Sequence, residues 1–443
     1  MGALNMPNRK VDAQVIGSGV GGLCVAARLV AAGLKVEVIE KLSALGGRFS
    51  TRDLHDCKVT TGAIMVPFGE RSALHETFRL MEAPFNVREG QGGFRYRLRH
   101  GEYDAPPEGG GGLLGMLQFA TEDASEGERL LDQFKRALVW WEPSDTISFE
   151  EWLSQYTSHP EVHNLLQGFC AAFIGVSLNE VPAGEYFRFL KAMGRNNRYG
   201  IAVNGNLELM ESLAGSITDR GSSVRKNTAC KSIVVEEGRV RGVRVEVSGV
   251  EETIEADFVV SNAGPKKTID LAGEQNFDKS YLALLREHPF ETPVFHVCIF
   301  SKEPLHPFPG IFNFGNTRRL IFLECPTLTC PELAPEGMHM TTTFSVPESS
   351  TPPIKRKQTI EEILLDLEEN FPSFNRRDQK CMITTHIGEW PSMRRWPGYP
   401  MPTKTPVENL YNVGDGCMPP GTVGIEACAL SAKSVARQIA SGR

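Results

Sequence analysis

Three glycines, Gly17, Gly19 and Gly22, follow the apolar pair Val15 and Ile16 and precede an alanine- and leucine-rich stretch that stops at Gly33. A second apolar run, from Val36 to Ile39, ends in an acid, Glu40, 18 residues past the third glycine. Read as strand, turn, helix and strand, this order gives the three glycines separate roles, namely a tight turn, close approach of backbone to a ligand, and close packing of helix on strand. A helix that opens at such a turn points free N–H groups and the positive end of its dipole outward, which suits a phosphate. An acid at the end of the second strand can hydrogen-bond a ribose diol. The chemistry is that of a dinucleotide site, with Ser18, Val20 and Gly21 completing the turn and Lys41 beside the acid. A bare GxGxxG is often an ordinary tight turn; the register of strand, glycines, helix, strand and acid is what points to a ligand.

Six residues after Glu40 come Gly46, Gly47 and Arg48. The glycines permit a second near-contact of backbone with ligand, and a guanidinium can face a pyrophosphate in a fork geometry. This pattern, Glu-Lys-x(4)-Gly-Gly-Arg, resembles the second fingerprint of FAD enzymes of the glutathione-reductase-like superfamily, in its amine oxidase and phytoene desaturase branch. Near the other end, Gly414 and Asp415 follow the apolar run from Leu410 to Val413, and residues 421 to 424 (Gly-Thr-Val-Gly) open a long alanine-rich helix. The pattern Gly-Asp-x(5)-Gly-Thr-x-Gly-x-Glu resembles the C-terminal signature of phytoene desaturase-like, retinol saturase-like and related FAD-dependent oxidoreductases.

The resemblance implies FAD as cofactor. Asp415, next to Gly414, would accept from a ribitol hydroxyl, and the N–H groups around Thr422, Val423 and Gly424 would face the flavin pyrimidine. It further implies that Gly62, with Ala63 and Ile64, lets backbone pass close to the flavin ring, and that a backbone group near Val224 meets the adenine. Where the family usually has a glycine pair before the next helix, this chain has Asn204, Gly205 and Asn206.

The elements that must position these residues read as an α/β protein. A Rossmann-type FAD-binding domain is expected from three separated segments, 1–75, 200–275 and 395–443, with a helical insertion at 76–199 and a mixed sheet-and-helix substrate domain at 276–394. Within them, Leu74 to Met81 has helical spacing, Phe94 to Tyr103 alternates like an edge hairpin, and Leu113 to Met193 is mostly helical in period. Glu255 to Ala263 is the strand expected to lead back beneath the cofactor. Thr359 to Asn370 reads as an acidic helix facing solvent. Pro106 to Gly112 is a glycine-rich loop without the GK[ST] of a phosphate loop.

At 443 residues, 41% hydrophobic and 23% charged, the chain has the composition of a soluble globular enzyme of two or three domains. A net charge of −7 offers no basic field for nucleic acid. No apolar run reaches the ~20 residues of a membrane helix, although contact of a substrate cap with a membrane surface stays open. The start lacks the apolar core of a signal peptide, and the ten cysteines form no CxxC pair. Buried free thiols in a reducing cytoplasm are the expectation, with no metal site.

No second GxGxxG with strand and acid follows, so a separate NAD(P)H domain is not expected, and electrons would pass to oxygen, a quinone or another acceptor. The resemblance leaves two enzyme readings. In the first, an apolar cavity presents a C–C bond of an isoprenoid or polyene-like substrate for desaturation, saturation or isomerisation. In the second, an amine is oxidised to an imine with release of hydrogen peroxide. Against the second, the position of that branch's lysine aligns with Val297 and that of its cage aromatic with Gly424. Trp390, Trp396 and Tyr399 are candidates for an aromatic wall, and His296 and His386 read as core residues. A flavin-bound protein without activity is a third reading. No catalytic residue is assigned.

Overall fold

Val15 and Ile16 end the strand Arg9–Ile16, whose central side chains are buried on both faces, as parallel strands covered by helices are. The computed structural model describes residues 9–106, 112–140, 144–193, 198–247 and 249–442. Most of the Pro106 to Gly112 loop therefore lies outside the described residues, as do residues 1–8.

Arg9–Ile16 pairs in parallel with Val36–Ile39 on one side and with Val250–Ser261 on the other. Ser223–Arg225 extends the sheet beyond Val36–Ile39, again in parallel. On the other side, Arg239–Val247 runs antiparallel along the first half of Val250–Ser261 and is followed outward by Ala229–Glu236. The second half of that same edge receives Leu410–Asn412 in parallel, Val259 opposite Leu410 and Ser261 opposite Asn412. Residues near both ends of the chain thus meet in one sheet. The helix Val20–Ala31 lies between Asn206–Asp219 and Gly424–Ser441, and the apolar faces of all three close one core around Leu23, Leu29, Leu213 and Val435.

A second sheet has the order Lys380–His386, Val294–Ser301, His339–Ser345, Leu320–Glu324, Ile311–Phe314, Phe94–Leu98 and Gly101–Ala105. Its last two strands are the expected hairpin, and they come from the segment read as a helical insertion. Among its described residues, five helices run from Gly112–Thr121 to Ala183–Met193. Their core is aromatic: Phe149 stacks on Tyr186 with ring centroids 3.6 Å apart, Trp152 lies nearly parallel to Phe149 at 5.6 Å, and Phe134 and Phe187 pack edge-on to Phe149.

The acidic helix, Arg356–Asn370, departs from its solvent-facing expectation. It buries Ile363 and Leu367 against the second sheet, and Asp366 is 1% exposed. The Asp366 carboxylate accepts the N–H groups of Arg318 (3.0 Å), Arg319 (2.7 Å) and Leu320 (3.0 Å), which pins the start of Leu320–Glu324. A charged residue at an inward position is stable here because its lone pairs are filled.

Candidate active site

Gly19, Val20, Gly21, Gly46, Arg48, Gly62, Ala63, Ile64, Asp415, Val423 and Gly424 line a single cavity between the glycine turn and one face of the second sheet. The turn is cramped by its own chain. A Cβ on Gly22 would sit 2.0 Å from the Gly17 carbonyl oxygen, and one on Gly21 would sit 2.9 Å from the Gly414 nitrogen. Asn262, just after the strand Val250–Ser261, fills the space beside Gly19. Oriented to satisfy both groups, its amide donates to the Val413 carbonyl at 3.2 Å and accepts from the Gly19 N–H at 3.3 Å. Asn262 lies in the expected returning strand, but nothing in that stretch alone marks it as a site residue.

The remaining expected residues are not among those that line the cavity. Gly17 has φ +93° and Gly47 φ +58°, conformations that favour glycine. Gly414 donates its N–H to the Ser431 hydroxyl at 2.9 Å, and the Thr422 hydroxyl donates to the Pro419 carbonyl at 2.6 Å. Glu40 is buried, and its carboxylate accepts from the Ser18 N–H (2.9 Å), the Ser18 hydroxyl (2.8 Å) and the Leu42 N–H (2.9 Å). Three of about four acceptor positions are filled, which leaves room for one more donor. Val224 pairs with Val38 at the sheet edge beside this acid, and Lys41 is exposed.

Two of the expected residues, both lining the cavity, also meet atoms of distant segments. Gly62 was expected to make room for a ligand; the space its missing Cβ frees is taken by the Arg48 carbonyl oxygen, 2.4 Å from where that atom would be. Arg48 was expected to face a pyrophosphate; its guanidinium instead forks onto Asp415, Nη1 to Oδ2 at 2.6 Å and Nη2 to Oδ1 at 2.9 Å. Nη1 also donates to the carbonyls of Pro391 (3.1 Å) and Ser392. Asp415 accepts a further bond from the Arg394 N–H at 3.1 Å. Burial pushes the Asp415 carboxyl up, but the charge and hydrogen bonds of Arg48 outweigh it and hold the group below the usual carboxylate range.

The geometry fits the implied cofactor. Neither Val20–Ala31 nor Gly424–Ser441 has a side-chain cap from its N-cap residue, and Val20, Gly21, Val423 and Gly424 at these two helix starts line the cavity. A Cβ on Gly424 would meet nothing within 4 Å. Such open glycine backbone at helix N-termini is the donor set that phosphate and an electron-accepting ring require. Among the described residues no cluster could hold a metal ion.

The facing wall comes from the second sheet. Phe322 and Phe344 stack in parallel with centroids 4.9 Å apart, His296 meets Phe344 edge-on at 5.4 Å, and His386 stands perpendicular to His296 at 5.1 Å. Phe173 and Met65 extend the apolar lining. The histidines are buried as expected, yet both border the cavity. His296 Nδ1 lies 2.8 Å from the Thr343 carbonyl, and burial lowers the ring to about 4. His386 is lowered to about 3 by burial and by the neighbouring His296 and Arg48. Val297 points to the opposite face with Phe295 and Ile299, so the residue this strand offers the cavity is His296. Trp390, Trp396 and Tyr399 build no part of the wall; Trp396 sits in the aromatic core and donates Nε1–H to the Glu180 carbonyl at 2.7 Å.

Sequence reasoning missed Glu324. It ends an otherwise apolar strand, shares a face with Phe322 by the period of two, and lines the cavity at 5% exposure. A charged residue at an inward position of such a run was the signal available.

Residues 20–440 match the model of the flavin containing amine oxidoreductase family. The chain is 26% identical to a chloroplastic prolycopene isomerase of Daucus carota, over 98% of this chain and 80% of that protein. It is 24% identical to a neurosporene-forming phytoene desaturase of Cereibacter sphaeroides, over 93% of this chain and 92% of that protein. Among solved structures, an oxidoreductase from Methanosarcina mazei superposes with a TM-score of 0.84 at 26% identity, covering 97% of this chain and all of that one. Among the described residues no helix is long and apolar enough to cross a membrane. Fold, uncapped helix ends and family match agree, and the chain belongs to the flavin containing amine oxidoreductases, a family of flavin-dependent oxidoreductases.

Proposed function

We propose that the chain binds FAD and acts on a carbon–carbon bond of an apolar isoprenoid or polyene-like substrate, by desaturation, saturation or isomerisation. The observation that carries this reading is the character of the wall facing the glycine turn: Phe322, Phe344, Phe173 and Met65 line it, and no lysine is among the described lining residues. FAD held there would supply two-electron chemistry at its ring nitrogen N5. Glu40 would take the ribose, the turn from Gly17 to Gly22 the pyrophosphate, and the N–H groups at Val423 and Gly424 the negative charge that the ring gains on reduction. Arg48 keeps Asp415 ionised, and Asp415 would accept from a ribitol hydroxyl. The apolar wall excludes water and fixes the substrate by shape.

The similarity to a prolycopene isomerase and a phytoene desaturase supports a polyene over an amine. The protein's two sheets are assigned accordingly, the first to cofactor and the second to substrate. Oxygen or a quinone is the expected final acceptor, and the cytoplasm, with contact at a membrane surface, the expected place. The test is anaerobic titration of the yellow holoprotein. Bleaching of the flavin band by a polyene or isoprenoid, or isomerisation of a cis-polyene by the prereduced protein, supports the reading. Bleaching by amines alone overturns it.

A further inference from the structure

Glu324 is held in place from two sides. Asp366 fixes the start of its strand, and pairing of Glu324 with Thr342 fixes its end. Its Oε2 is buried and has no hydrogen-bond partner, and no cation forms an ion pair with it among the described residues. Burial alone pushes the carboxyl up to about 7. A protonated carboxyl offers one O–H donor and retains acceptor capacity. Left without a partner in an apolar cavity, such a group costs stability, and Leu or Met would fill the position more cheaply. An unpaired buried polar atom calls for a reason, such as strain, chemistry or a missing partner; Glu324 lines the cavity, where a bound molecule can supply that partner. A hydrocarbon cannot complete it.

We propose that the substrate of this cavity is an apolar, isoprenoid-like molecule that carries a hydroxyl or carbonyl oxygen, and that Glu324 hydrogen-bonds that oxygen. The proposal rests on the reading of the cavity as a site for an isoprenoid-like substrate beside a flavin, and narrows its substrate class. Glu324 selects the oxygenated substrate because the analogue without oxygen leaves the carboxyl unpaired on binding. Phe322 and Phe344, on neighbouring strands of the same wall, hold the apolar body.

The test uses flavin-loaded protein and three probes of one carbon skeleton: farnesol, farnesal and the hydrocarbon farnesene. Binding is read from perturbation of the flavin band. The alcohol or aldehyde should bind about 10- to 100-fold more tightly than the hydrocarbon, the range expected for one buried hydrogen bond. Glu324→Leu should remove that preference, keep the flavin and melt no lower than wild type; Glu324→Gln, which can still donate and accept, should keep most of the preference. Equal binding of farnesol, farnesal and farnesene by wild type overturns the proposal, as does a preference that survives Glu324→Leu. Loss of flavin from the Leu variant also overturns it, by giving Glu324 to the cofactor. Binding of none of the three, with an amine bound instead, overturns the isoprenoid reading itself.

Discussion

Arg48 and Asp415 are 367 residues apart in the chain and meet in a two-pronged ion pair. Each is held by charge and hydrogen bonds that burial would otherwise make expensive, so removing one strands the other. Asp415→Ala should destabilise the apoprotein by roughly 3 kcal/mol and release flavin, whereas Asp415→Asn, which still accepts one bond, should lose less. Urea unfolding and the visible spectrum measure the two effects. Glu40→Ala removes three hydrogen bonds from the glycine turn and the expected ribose acceptor, so its flavin should dissociate faster at unchanged secondary structure. Glu324 acts through protonation. Its carboxyl is raised from 4.5 to about 7 in the folded chain, so its contribution is full below pH 4.5 and is lost as pH rises through 7. The Glu324→Leu variant should therefore gain on wild type between pH 5 and 8, by on the order of 3 kcal/mol at the upper end. A difference in melting temperature that is flat with pH would show the carboxyl to be paired.

At the scale of elements, the strand–turn–helix from Arg9 to Ala31 does its work by leaving atoms out. Gly22→Ala would drive a methyl to 2.0 Å from the Gly17 carbonyl and should cost both flavin and several kcal/mol of stability. Gly33→Ala is the control: φ is +85° but nothing lies within 4 Å, so about 1 kcal/mol is the expected loss, with flavin retained. Thermal melts of the two variants make the comparison. This half of the molecule was legible because its glycines, its acid and its helix starts are fixed by local geometry and show as spacing. The Arg48–Asp415 pair and the use of Gly62 were not, since what each residue meets is backbone or charge brought from a distant segment. The facing wall was hardest to read. His296, Phe322, Phe344 and Glu324 become neighbours only through the register of three strands, and strand register leaves no mark in any one stretch of sequence.

For the whole molecule, the two sheets define opposite sides of one cavity, and a ligand that spans it must join them. FAD added to apoprotein at about 1,000 times its dissociation constant should raise stability by about 4 kcal/mol. The linker around Pro391 and Ser392, which Arg48 holds, should become resistant to protease at the same ligand concentration. A melt unchanged by FAD would mean that the cavity does not hold it.

Leu410–Asn412 enters its sheet after every other strand has been made, and the uncapped helix start at Gly424 comes later still. A ribosome would have to release the chain through the start of that helix before both uncapped helix ends could grip a flavin. Colour should therefore appear only on chains that extend past Gly424, and nonsense mutations upstream of Leu410 should yield colourless, rapidly degraded product.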